Sequence, residues 1–276
     1  MEDDELIELS LQGDKQALEQ LLKKHQDWLY NVALNLTSNT HDASDLVQET
    51  LIKVITNLSQ FKGESSFRTW TFRILKNTFL NATRKKPYHT PLTWDDFAQD
   101  LDNTIDAEYT DGNEKEVVKE AKLSCMKAML LCLTPEQRLV FVLGELFEFP
   151  DTVGSAVIET SKAAFRKKLS HTRTQLYQFM NDKCGLVRTE NPCRCARKTK
   201  GFIAKGYVDP KNLQFQKGTL SKIDKVIAKK LDTYENEGYR AYQELFHKHN
   251  FQKADDRLAS LKKVLASKAI KDTFEI

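Results

Sequence analysis

The chain has 276 residues, 40% of them apolar and 29% charged, and a net charge of +3. That balance supports buried cores and excludes a wholly disordered chain, while ten Gly and six Pro are too few turn formers for an all-β sandwich or barrel. The longest clean apolar run, Ala128 to Leu133, falls far short of the ~20 residues a bilayer span needs, and Met1 to Glu5 is acidic where a signal peptide would be basic and then apolar. A cytoplasmic protein with no membrane contact is therefore expected, its five Cys being thiols or metal ligands rather than disulfides.

Helical spacing begins at residues 17–36, with Ala17, Leu18, Leu21, Leu22, Leu29, Val32 and Leu36 on one face. It resumes at 42–58 with Ala43, Leu46, Val47, Leu51, Val54 and Leu58. Phe61 to Ser66 reads as a loop, with Ser65 or Ser66 capping a helix from about Phe67 to Arg84 that turns Trp70, Ile74 and Leu75 inward. Lys85-Lys86-Pro87 ends it. These helices make a first domain over residues 1–87.

Residues 88–116 carry little periodicity beyond a short element near Trp94 to Phe97 and read as an acidic tether. If flexible, thirty such residues span roughly 30 Å. Helices return from Val117, where Cys125 falls in an apolar stripe and is expected in a core, as is Cys132. Thr134-Pro135-Glu136 is a strong helix start. A short helix over about 151–158, a turn, and a helix from the cap Ser161 to about Met180 follow the order of a helix-turn-helix, within a second domain at 117–182. A Cys-containing segment spans 183–210, with a short strand or turn at Phe202 to Val208 and a break at Asp209-Pro210. Helical spacing at Ile223, Val226, Tyr239, Leu245, Leu258 and Leu265 gives a mainly helical extension over 211–276. The fold class is thus all-α: two small helical domains joined by an acidic linker, the second a helix-turn-helix, plus a mainly helical C-terminal extension.

Charge is segregated. Residues 61–88 hold seven basic and one acidic side chain, and residues 121–200 hold fourteen basic and seven acidic. Residues 95–120 between them hold ten acidic and two basic. Two basic helical surfaces suit phosphate backbones, which they bind by releasing counterions. No phosphate-binding glycine loop, zinc-protease motif or nucleophile elbow occurs, so no enzyme chemistry is indicated. Asp95, Asp96, Asp100 and Asp102 read as solvating the tether rather than holding a metal. Cys184, Cys193 and Cys195, spaced C-x8-C-x-C beside Arg and Lys, can hold zinc, react as low-pKa thiolates, or stand as plain thiols. A structural zinc wants four ligands. His171, roughly 20 Å back along a continuous helix, does not easily serve as the fourth.

Two stretches carry a family resemblance. Asp42-Ala43-Ser44-Asp45-Leu46-Val47-Gln48-Glu49-Thr50, followed by Phe61-Lys62-Gly63-Glu64-Ser65-Ser66-Phe67-Arg68-Thr69-Trp70, resembles bacterial RNA polymerase sigma factors of the extracytoplasmic-function group. So do Arg73-Ile74-Leu75-Lys76-Asn77 and the basic end at Arg84-Lys85-Lys86. Residues 134–176 resemble that group's second conserved domain, with departures. Val153-Gly154-Ser155 stands where an acidic-Ile-Ala signature is usual, Glu159 where the turn has glycine, and His171-Thr172-Arg173 where Arg-Ala-Arg is usual.

The resemblance implies a sigma factor that binds core polymerase at its clamp helices and flap, recognises −10 and −35 promoter DNA and promotes melting, without being an enzyme. Asp45, Leu46, Val47, Gln48 and Glu49 would form the polymerase-docking helix, with Leu46 and Val47 packing inward. Phe61, Lys62, Ser65, Arg68, Trp70, Arg73, Lys76, Asn77, Arg84 and Lys85 would serve the −10 element. Phe61 would stack on an unstacked base, a contact worth ~1–3 kcal/mol, while Trp70 and Phe67 lean toward the core. Ser161, Lys162, Ala163, Arg166, Lys167, His171 and Arg173 would serve the −35 element. The acidic tether would thread the polymerase cleft, and an anti-sigma protein is a further partner to expect. No cofactor is required, zinc at Cys184, Cys193 and Cys195 being the one group left open. Two other classes stay open on the residues alone: a stand-alone helix-turn-helix regulator, and a zinc- or thiol-based sensor.

Overall fold

A computed structural model describes residues 1–85, 92–110 and 114–215. The helical spacing expected beyond residue 215 lies outside the described residues. Those described are helical throughout, the extended pairing among them being a single parallel bridge between Cys184 and Cys193. They fall into two compact units. One takes residues 1–85 and 149–165, the other residues 92–110, 114–148 and 166–215. The sequence reading keeps 117–182 together as one domain. The packing instead assigns its short helix, and the start of the helix after it, to the first unit.

The first unit begins with α1 (Asp3–Leu11), which periodicity did not predict. Its apolar stripe is only Leu6 and Ile7, too short to register as a pattern. Asp3, Asp4 and Glu5 suit the positive end of the helix. Asp3 also ties α1 to the next helix, pairing with Lys24 at 2.8 Å and His25 at 3.0 Å. Helix α2 (Lys15–Thr37) is capped by Asp14, which accepts from the Gln16 and Ala17 amides. Helix α3 (Thr40–Thr56) is capped by Asn39 in the same way. Leu21, Leu22, Leu29, Ala43, Leu46 and Val54 fill the seam of α2 and α3. A 3-10 turn at Leu58–Gln60 leads to α4 (Phe67–Lys85), which Ser66 caps through the Thr69 amide at 3.2 Å.

The second unit corrects the tether. Residues 94–102 form α5 (Trp94–Asp102), closed by a capping box between Thr93 and Asp96. The following helices are α6 (Glu114–Leu131), α7 (Pro135–Phe141) with a π-turn at Val142–Leu146, α8 (Asp151–Ile158, in the first unit), α9 (Lys162–Lys183) and α10 (Cys195–Ala204). Trp94 and Phe97 lie against Phe179 of α9, with ring centroids 5.0 and 5.4 Å away. The acidic side chains do not merely solvate a linker. Asp102 pairs with Lys183 at 2.7 Å, Asp100 with Lys205 at 2.6 Å, and Asp106 with Arg197. The backbone follows: Ala107 N–H donates to Arg197 O, and Lys198 Nζ to Thr104 O.

Helix α10 replaces the strand or turn expected from Phe202. Its sequence is basic for most of a turn and a half, so no apolar stripe is visible before Phe202. Gly201 is the residue that lets it dock: a Cβ there would stand 2.4 Å from the Thr104 side chain and 2.9 Å from the Ile105 backbone. Phe202 and Val208 then join Tyr109, Val117 and Ala121 in a buried cluster, with Cys125 packed against it as the sequence predicts. Thr134 forms a capping box with Gln137 at the start of α7. Asp209 makes the expected turn, accepting from the Lys211 and Asn212 amides.

Candidate polymerase and nucleic-acid interface

Helix α3 sorts its docking residues by period. Ala43, Leu46, Val47 and Thr50 are buried, and Asp45, Gln48 and Glu49 are exposed on the opposite edge. Glu49 leans on Lys53 one turn on (2.6 Å), and Asp45 on His41 one turn back (3.3 Å). These exposed pairs add little stability. The edge is therefore a polar, acidic surface held in place by apolar packing on its other side.

The loop before α4 places Phe61 half-buried, with its ring edge-on to Phe67 at 5.6 Å and tilted to Trp70 at 5.4 Å. Phe67 is buried, and Trp70 is half-buried as the third ring of the group. The face of Phe61 is thus pre-set by two neighbours, which lowers the entropy lost when a further ring stacks. Lys62, Asn77, Arg84 and Lys85 are exposed, and Ser65 is half-buried beside the cap Ser66.

Three basic residues assigned to −10 DNA are occupied instead. The Arg68 guanidinium lies 3.8 Å over the Trp28 ring, with Phe72 and Phe149 at 5.7 and 5.4 Å. Burial depresses its basicity, and its Nε has no hydrogen-bond partner. Arg68 is a cation held among aromatic rings in this structure. Arg73 Nε donates to the Ala156 carbonyl of α8 at 2.8 Å. Lys76, 5% exposed, is ion-paired with Glu159. Helix α8 and its following turn thus cover the centre of α4.

The same segment explains two departures from the usual pattern. Gly154 packs on Phe165, and a Cβ would come 2.4 Å from the buried ring, so the glycine makes room for the aromatic. Glu159, where the turn normally has glycine, keeps the left-handed conformation at φ 55°, which costs an L-residue about 1–2 kcal/mol. Its carboxylate is the partner of Lys76.

Helix α9 starts where Ser161 caps it, accepting from the Ala164 amide at 3.1 Å. Lys162, Ala163, Arg166, Lys167 and His171 are exposed, while Phe165, Leu169 and Thr172 are buried. Arg173 departs from the expectation. It pairs with Glu145, whose side chain is fully buried, and so it anchors α9 rather than facing outward.

Cys184 and Cys193 are bridged neighbours, and Cys195 opens α10. Burial raises all three thiols, Cys193 to about 11 and Cys195 to about 12, the last two pushed further by neighbouring sulfurs. Reactive low-pKa thiolates are therefore not what this segment holds.

Sigma-70 region 2 matches residues 21–87. Through this region the chain is similar to ECF-type RNA polymerase sigma factors. It is 28% identical to the ECF RNA polymerase sigma factor SigE of Mycolicibacterium smegmatis, over 61% of this chain and 64% of that one. It is 32% identical to SigG of Mycobacterium tuberculosis, over 51% of this chain and 42% of that one, and 34% identical to the ECF sigma-E factor of Haemophilus influenzae, over 37% and 52%. The chain thus spans between 42% and 64% of the length of these relatives. The solved structure of CnrH in complex with the cytosolic domain of CnrY is similar at a TM-score of 0.48 and 21% identity, over 65% of this chain and 97% of that one. Among the described residues no helix is long and apolar enough to cross a membrane.

Proposed function

We propose that this chain acts as a sigma factor in the cytoplasm, giving core RNA polymerase its promoter choice and helping to melt the DNA. The role is binding, not catalysis. The observation that carries the reading is the acidic edge of α3, with Asp45, Gln48 and Glu49 outward and Leu46 and Val47 buried behind them, inside a sigma-70 region 2. That edge offers the polymerase clamp a rigid polar surface. Phe61 then stacks on a base flipped from the −10 strand, whose unstacking costs a few kcal/mol, while Lys62, Asn77, Arg84 and Lys85 hold the strand around it. Lys162, Ala163, Arg166, Lys167 and His171 of α9 face the −35 major groove. Arg73 and Lys76 join the −10 contacts only after residues 149–165 leave α4, so promoter binding on this reading includes that release. An anti-sigma protein would act by preventing it.

The test is open-complex formation and run-off transcription with bacterial core polymerase on a pool of genomic promoter fragments. Promoter-specific transcripts that need this protein, and that fade on Phe61→Ala, are expected. A protein that shifts duplex DNA but neither binds core nor yields a transcript would replace this reading with a stand-alone regulator.

A further inference from the structure

The Phe61 ring is braced from behind by a line of contacts that begins in α1. Asp3 lies in the first turn of that helix, and the buried His25 of α2 donates from Nε2 to its carboxylate at 3.0 Å. A carboxylate only accepts, so this bond sets which ring nitrogen carries the proton. Lys24 holds the other Asp3 oxygen at 2.8 Å. The imidazole stands edge-on to Phe67, with ring centroids 5.2 Å apart and planes at 64°. Phe67, itself buried, meets Phe61 edge-on at 5.6 Å and 89°. Edge-to-face contacts favour a particular tilt of the ring as well as its distance. A leucine at position 25 would fill the space, but Asp3 would not orient it.

The line is anchored on both sides. Trp28, one turn after His25 on α2, takes the Arg68 guanidinium at 3.8 Å. Residues 25 and 28 of α2 therefore grip consecutive residues of α4, 67 and 68, and fix its first turn. Helix α1 also packs on the turn Leu58–Gln60, whose Leu58 carbonyl accepts from the Phe61 amide at 3.1 Å. Both the backbone and the ring of Phe61 are thus backed by α1, the one through that turn, the other through His25 and Phe67. Beyond Phe61 the loop changes character. Lys62, Gly63 and Glu64 are exposed, and Gly63 bends the chain with a φ of 70°. The loop has a rigid root at Phe61 and an exposed tip.

We propose that His25 is a positioning residue for −10 recognition: oriented by Asp3, it holds Phe67, and through Phe67 the Phe61 ring, at the angle at which a flipped base stacks. The proposal rests on the reading of Phe61 as the stacking ring. His25 is placed to touch neither DNA nor polymerase. Its effect falls on the step in which a base leaves the duplex, because a ring that is not preset loses more entropy when it stacks. The docking edge of α3 keeps its own support in the buried Leu46 and Val47.

The experiment uses the full chain with core polymerase, on the promoter fragment that gives the strongest run-off transcript. Core affinity is read by titration, and opening by permanganate reactivity of unpaired thymines. His25→Ala should bind core like the parent and lower the opening constant roughly 2- to 12-fold, the size of one edge-to-face contact. His25→Phe keeps a ring against Phe67 and should recover part of that loss, whereas His25→Leu should not. The deciding measurement is the double variant. With Phe61→Ala in place, His25→Ala should cost nothing further, since it acts only through that ring. Additive losses, unchanged opening in His25→Ala, or core affinity falling in step with opening would each overturn the proposal. Where His25→Ala fails to fold, Asp3→Ala in the parent and Phe61→Ala backgrounds makes the same test from a partly exposed position. If Phe61→Ala opens promoters as well as the parent, the stacking reading falls and this proposal with it. A Phe61→Ala defect that His25→Ala does not share overturns this proposal alone.

Discussion

Glu159 carries two opposed terms that can be separated by substitution. Its carboxylate pairs with Lys76, a lysine 5% exposed in the centre of α4, while its backbone bears a left-handed φ of 55°. A hydrogen bond to a charged group is worth about 1.5–3 kcal/mol. The Glu159 side chain is mostly exposed, so solvent screening brings the pair to the lower end, about 1–1.5 kcal/mol. Releasing the backbone strain by glycine returns about 1 kcal/mol. Glu159→Gln should therefore lower the Tm by roughly 2–6 °C, while Glu159→Gly should leave it within a degree or two of the parent. Both should expose Lys76. Lysine acetylation followed by mass spectrometry reads that directly, and a loss of about 1–1.5 kcal/mol predicts roughly a 5- to 12-fold faster modification of Lys76 in both variants. Equal Lys76 reactivity in all three proteins, or equal destabilisation by Gln and Gly, would refute the reasoning.

Two further outcomes follow from the same helices. Gly154→Ala forces a methyl against the buried Phe165 ring and should cost about 1–3 kcal/mol in denaturant unfolding, with Phe165→Leu beside it recovering part of the loss. A full additive loss in the double variant would show that the two do not touch. His25 is held below its ordinary value, burial outweighing the pull of Asp3, so the unfolded chain takes up the proton first as pH falls through about 6.5. Stability should fall between pH 7.5 and 5.5 with a slope of at most about 1.4 kcal/mol per pH unit from this group, and His25→Gln should flatten that slope; an unchanged slope would remove His25 as its source.

What could be seen in the sequence was what repeats locally. The alternation of Asp45, Leu46, Val47, Gln48 and Glu49 follows the helical period, so their sorting into exposed and buried faces was legible, as were the caps at Thr134 and Ser161. What could not be seen was set by partners far along the chain. Arg68 reads as one more cation on a basic face until Trp28 and Phe149 close over it. Lys76 and Arg173 read as open cations because Glu159 and Glu145, which pair with them, carry no local signal. The acidic tether read as solvated for the same reason, its carboxylates being paired with Lys183, Arg197 and Lys205. Helix α10 escaped notice because its buried side, Lys198, Thr199, Gly201 and Phe202, is largely not apolar.

The most direct test of the central claim is the affinity of this protein for core RNA polymerase, measured beside an Asp45→Ala/Glu49→Ala variant. Both residues are exposed and neither supports the core, so the variant should fold normally. The account predicts tight binding of the parent chain and a loss of at least about tenfold in the variant, from two polar contacts worth roughly 1.4 kcal/mol or more together. A chain that ignores core polymerase, or a variant that binds it as well as the parent, would contradict the account.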